Sequence, residues 1–143
     1  MSDSNWKTVC KGSCNGTLIG GYISLFGLML TNKYFNYDIN QKYLLFIEDH
    51  EKFSAVGEVS TYLAFIGQSA FMRNVTGLIF GHYSVNVSDD LLQCLKRFGD
   101  EHNIPIVYTD DFGHGTRHAI LPIGVNATLD AEKHRLNFIH KDA

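Results

Sequence analysis

Residues 110–115 read Asp-Asp-Phe-Gly-His-Gly and follow a short apolar run, residues 104–108, of strand length. Glycine on both sides of His114 removes Cβ crowding and permits positive φ, so the backbone can bend sharply and admit a substrate. An imidazole at the carboxyl end of a strand sits where open α/β sheets bind ligands. A second group has the same placement. Residues 43–47, Tyr-Leu-Leu-Phe-Ile, form a continuous apolar run that ends in Glu48. A carboxylate that accepts an imidazole N–H fixes its tautomer, stabilises the imidazolium and leaves the other nitrogen as a general base. Taken singly, His114 also reads as an ordinary loop histidine and Glu48 as a solvated loop acid. Together at one rim of a sheet they make two-thirds of a Ser-His-Glu triad. His82 closes another apolar run, residues 75–80, and is a candidate for lining the same rim.

The third triad member is missing. No serine lies in a strand-turn-helix elbow of the Gly-x-Ser-x-Gly kind, and Ser24, shortly after Gly20-Gly21, sits in an apolar segment that should pack. Cys10 and Cys14 have a C-x3-C spacing that could offer two metal ligands, but with no second close pair they read as small buried or loop thiols. His114 and His118 are four apart, a ligand spacing that has meaning only on a helix, and this segment carries glycines. No metal and no cofactor is expected.

The elements that must position these groups are legible. Residues 6–9 read as a short strand or lead-in, and 11–16 as a loop. Gly20-Gly21 after an apolar run predicts a tight turn or a close backbone approach, and makes both candidates for substrate contact. Residues 24–30 predict a short helix. Ser54 is a candidate N-cap for a helix with the stripe Val56, Val59, Leu63 and Ile66. The clearest helix has Ser88 as N-cap, Asp89 and Asp90 in its first turn, the stripe Leu91, Leu92, Leu95 and Phe98, and Gly99 as its stop. Residues 119–123, 127–129 and 136–139 predict short antiparallel strands. The order βα, βα, βα, then antiparallel strands, predicts one α/β domain with a partly parallel sheet and a second, antiparallel β layer.

Composition narrows the function classes. A chain of 143 residues with 45% hydrophobic and 19% charged residues suits one soluble domain. A net charge of −3 argues against a nucleic-acid partner. No apolar run approaches the roughly 20 residues of a membrane span. The first residues lack the basic and apolar regions of a signal peptide, and the odd cysteine count fits reduced thiols, so a cytoplasmic protein is expected.

The ordered set Trp6-Lys7, Leu18-Ile19-Gly20-Gly21, Leu45-Phe46-Ile47-Glu48-Asp49, Gly77-Leu78-Ile79-Phe80-Gly81, Ile104-Pro105, Phe112-Gly113-His114-Gly115, Leu121-Pro122-Ile123-Gly124 and Ala127-Thr128-Leu129-Asp130 resembles the C-terminal domain of the LD-carboxypeptidase family of serine peptidases, which includes the microcin C immunity proteins. The resemblance implies a swivelling β/β/α-type domain. It implies that Glu48 and His114 are triad members and that the nucleophilic serine lies in a separate N-terminal domain, absent from this chain. The complete enzyme would hydrolyse the amide bond to a C-terminal D-amino acid, usually in a cytoplasmic murein tetrapeptide. The immunity branch instead cleaves aminoacyl nucleotides, and a non-catalytic binding module on the same fold is a further alternative. Two departures stand out: Tyr22 replaces the usual Asn after Gly-Gly, and residues 53–58 replace a Tyr-Arg-x-Asp-Arg segment. His82 and Arg117 are candidates for lining the substrate pocket. The expected partners are the serine-bearing domain and a small peptide; an exposed docking face would also favour a homodimer.

Overall fold

The computed structural model describes residues 6–113 and 119–139. They form three α-helices and one continuous sheet of order β1-β5-β4-β3-β2-β6-β7. The centre is parallel: β2 (Ser13–Tyr22), β3 (Tyr43–Glu48), β4 (Val75–His82) and β5 (Ile106–Gly113) pair in the order β2, β3, β4, β5. The margins are antiparallel. β1 (Lys7–Cys10) pairs with β5, while β6 (Asn126–Asp130) pairs with β2 and carries β7 (Arg135–Ile139) outside it.

Alternation along each central strand divides the core in two. Leu45 and Ile47 of β3 face the side where α1 (Ile23–Met29), α2 (Val56–Gln68) and α3 (Asp89–His102) bury Ile23, Val59, Leu63, Ile66, Leu91 and Leu95. Leu44 and Phe46 face the opposite side, with Leu18, Ile79, Val107, Phe112, Ala127 and Leu129. No helix covers that second core among the described residues; the sheet curls over it. Thr8 Oγ1 donates to the carbonyl of Ala131 at 2.7 Å and meets His134 Nε2 at 2.8 Å, so β1 at one margin touches the β6–β7 turn at the other. The expected antiparallel β layer is thus the margin of the same sheet.

Several local readings change. Gly20 and Gly21 lie within β2, not in a turn. Gly20 does make a close backbone approach, but to a neighbouring strand: a Cβ there would overlap the carbonyl of Phe46. β2 begins at Ser13, inside the stretch that composition marks as loop, because residues 13–17 pair with β6. Residues 119–123 form no strand. Ser54 does not cap α2; the helix starts after Ala55, whose N–H donates to Glu58 Oε2 at 2.7 Å. Ser88 does cap α3, accepting from the amide of Leu91. That helix runs past Gly99 to a left-handed Asn103 at φ 53°. Gly99 instead serves packing, since a Cβ there would overlap Cys10 Sγ and crowd Ile106 Cδ1 at 2.9 Å. On α1, Leu25 and Leu28 stand exposed, unlike Ile23 and Phe26 beneath them.

Candidate active site

The carboxyl ends of all four parallel strands meet at one rim. Tyr22, last in β2, is in register with Glu48, last in β3. His82, last in β4, is in register with Gly113, last in β5. Between Gly81 and His82 the ladder slips, because Gly81 faces Thr109 but His82 faces Gly113. The slip gathers Asp110, Asp111 and Phe112 into a bulge, a device that re-aims a strand end. Gly113 then takes φ 92°, and its Cα packs so tightly on Glu48 that a Cβ would overlap Oε2. The residue directly before His114 therefore lies against the carboxylate of Glu48. His114 and Arg117 themselves lie outside the described residues.

Behind Glu48 stands Asp49, fully buried. Its Oδ1 accepts the amide of His50 and the Tyr22 hydroxyl, each at 2.6 Å. Burial first, then the hydrogen bond to Asp49, holds the Tyr22 phenol protonated far above the usual tyrosine range. Rings continue along the rim: Phe53 meets Tyr22 edge-on at 6.3 Å and His50 at 5.9 Å, and His50 lies 6.1 Å from His82. His82, at the end of β4, thus stands at the rim with Glu48. Gly21 is there too, at φ 155°, and a Cβ on it would meet no atom within 4 Å. Gly20 is spent on strand pairing. Sequence reasoning singled out neither the Tyr22–Asp49 hydrogen bond nor the role of Asp111, whose carboxylate accepts from the indole of Trp6. Glu48, the last residue of β3, is only half-buried, whereas Asp49, the first residue beyond the strand, turns fully inward.

The cysteines do not form a site. Cys10 belongs to the helix-side core and Cys14 packs against the other, so C-x3-C places them on opposite faces of the sheet. Burial pushes the Cys10 thiol up, and that of Cys14 up to about 11. No group of three or more His, Cys, Asp or Glu that could hold a metal occurs among the described residues. A cavity of about 700 Å³ lies away from the rim, at the other end of β3, beside Thr17, Gln41 and Asn126. One of about 190 Å³ opens at the rim itself, between His82, Asp110, Trp6 and Tyr108.

A partly parallel sheet with helices on one face and charged and aromatic side chains gathered at its strand carboxyl ends makes this an α/β domain. The chain belongs to the LD-carboxypeptidase C-terminal domain family, whose model matches residues 15–129. It is 29% identical over 127 residues to a "Putative carboxypeptidase" of Treponema pallidum, covering 87% of this chain and 37% of that protein. It is 24% identical over 135 residues to another of that name from Vibrio cholerae, covering 92% and 40%. Among solved structures, an MccF-like protein from Streptococcus pneumoniae in complex with AMP superposes with TM-score 0.79 at 23% identity, over 97% of this chain and 45% of that one. A muramoyltetrapeptide carboxypeptidase from Oxalobacter formigenes gives TM-score 0.73 at 23% identity, over 94% and 50%. The chain spans about two-fifths of the curated relatives it matches.

Proposed function

We propose that this chain supplies the acid–base half of a serine carboxypeptidase that hydrolyses the amide bond to a C-terminal D-amino acid, with a murein tetrapeptide in the cytoplasm as substrate. The observation that carries the reading is the packing of Gly113 on Glu48, which brings the residue before His114 against a strand-end carboxylate. In this reading Glu48 accepts one imidazole N–H of His114. The other nitrogen takes the proton of a serine hydroxyl as its oxygen attacks the substrate carbonyl. The same imidazole, now charged and stabilised by Glu48, returns that proton to the departing amine. Water then hydrolyses the acyl-enzyme by the same route.

The serine and the oxyanion donors come from an N-terminal domain outside these residues. The length of the relatives supports this, since the chain covers 37% and 40% of the two carboxypeptidases it matches. In this reading His82 and Arg117 line the pocket, and Gly21 leaves room at the rim.

The test joins this chain to its serine-bearing domain and follows release of D-alanine from murein tetrapeptide. His114→Ala and Glu48→Ala each lower kcat, the former by about 10⁴ or more. An active complete protein that is indifferent to both substitutions overturns the assignment. Cleavage of aminoacyl nucleotides in place of the tetrapeptide keeps the two residues and moves the substrate to the immunity branch.

A further inference from the structure

We propose that Trp6 and Asp111 are positioning residues that fix the end of β5 against Glu48. The inference rests on the pairing of Glu48 with His114 proposed above. Trp6 precedes β1 and lies outside residues 15–129, the stretch that matches the family.

The need for such an anchor comes from the ladder itself. β4 advances one residue, Gly81 to His82, while β5 advances four, Thr109 to Gly113. Regular strand pairing therefore does not set the course of Asp110, Asp111 and Phe112. Side chains must do so. Phe112 turns inward and meets Phe46 edge-on at 6.0 Å. Asp111 is gripped at three points. Its carboxylate Oδ2 accepts the indole N–H of Trp6 at 2.6 Å, its amide donates to Thr109 Oγ1 at 3.1 Å, and its carbonyl accepts the amide of Ala119 at 2.6 Å. The last bond ties together the two ends of the segment that contains His114.

Trp6 is itself held. Its ring lies 6.3 Å from that of His134, which also meets Thr8 at 2.8 Å. Asp111 is 8% exposed, so loss of the indole N–H leaves a buried carboxylate oxygen short of a strong donor. The bulge then loses one of its three ties, and Gly113 at its end is held less firmly against Glu48. The chain that enters the domain thus sets the distance between two strand ends.

The experiment is ¹⁵N NMR of the histidine rings in the 143-residue chain, at a pH where the imidazoles are neutral. Glu48 should hold His114 in one tautomer. Trp6→Phe keeps the ring on His134 but removes the N–H; this variant and Asp111→Ala should each turn the single tautomer of His114 into a mixture. Asp111→Asn keeps an acceptor for the indole and should restore the single tautomer. His102, on α3, reports the intact fold and should not change. A single tautomer in both Trp6→Phe and Asp111→Ala, with a mixture in Glu48→Ala, which removes the acceptor, overturns the anchor and leaves the Glu48–His114 pairing standing. A single tautomer in Glu48→Ala as well shows that the pairing is what fails, and the anchor falls with it.

Discussion

Gly113 and Glu48 meet across two strand ends, where a Cβ at position 113 would overlap Oε2 and make the carboxylate turn aside. Two costs follow for Gly113→Ala. The φ of 92° disfavours any L side chain by about 1–2 kcal/mol, and the new methyl must also push the carboxylate away. Chemical denaturation should show a loss of at least that size. Gly57→Ala is the control: exposed in the first turn of α2, with nothing within 4 Å of a Cβ, it should gain about 0.5–1 kcal/mol. Equal stability of the two variants would contradict the packing described.

Tyr22→Phe tests the support behind Glu48. The substitution removes the O–H that Asp49 Oδ1 accepts at 2.6 Å and leaves a buried carboxyl with one donor fewer. Urea unfolding should show a loss of about 1–3 kcal/mol. A change below a few tenths would mean that the hydroxyl contributes nothing to holding Asp49.

Alkali should destabilise the protein in a defined direction. Burial raises the phenol pKa of Tyr22, Tyr83 and Tyr108. Above the ordinary tyrosine value of about 10 the unfolded chain releases these protons while the native chain keeps them. The unfolded state then binds fewer protons, so stability falls as pH rises from about 10 toward the raised native values. Tyr22→Phe should flatten that slope. A melting temperature independent of pH between about 9 and 11 would contradict the burial of these phenols.

The thiols should resist alkylation. Cys10 and Cys94 are buried, and the Cys14 pKa lies near 11, so little thiolate exists at neutral pH. Mass spectrometry after iodoacetamide treatment at pH 8 should find them unmodified in the folded chain and fully modified in urea. Rapid labelling of Cys14 without denaturant would show a more open edge than the structure has.

Cys10 and Gly99 should couple. Gly99→Ala places a methyl on Cys10 Sγ and should cost about 1–3 kcal/mol through overpacking. Cys10→Ala removes that sulfur, so the double variant should recover part of the loss, leaving a non-additive term of about 0.5 kcal/mol or more. Strict additivity would place the two residues out of contact.

Much of this protein was legible in the sequence because its signals are local. The apolar run before Glu48 is buried on both faces of a sheet, so it carries no alternation and reads as a central strand. Ser88, Asp89 and Asp90 announce α3 because unsatisfied amides at a helix start need nearby acceptors. Residue types at strand ends likewise pointed to Glu48, His82 and the Gly113 bend. The resemblance to the LD-carboxypeptidase domain drew on the same local marks in their order. What the sequence could not decide depends on partners distant along the chain. Residues 13–16 look like loop and become strand because β6 supplies hydrogen bonds from more than 100 positions away. Gly99 looks like a helix stop and is instead the space that Cys10 fills. Asp110 and Asp111 are adjacent acids that nothing local tells apart, and only the fold brings the indole N–H of Trp6 to Asp111. In each case a residue's role is set by which atom meets it across the sheet, and only the tertiary fold fixes that.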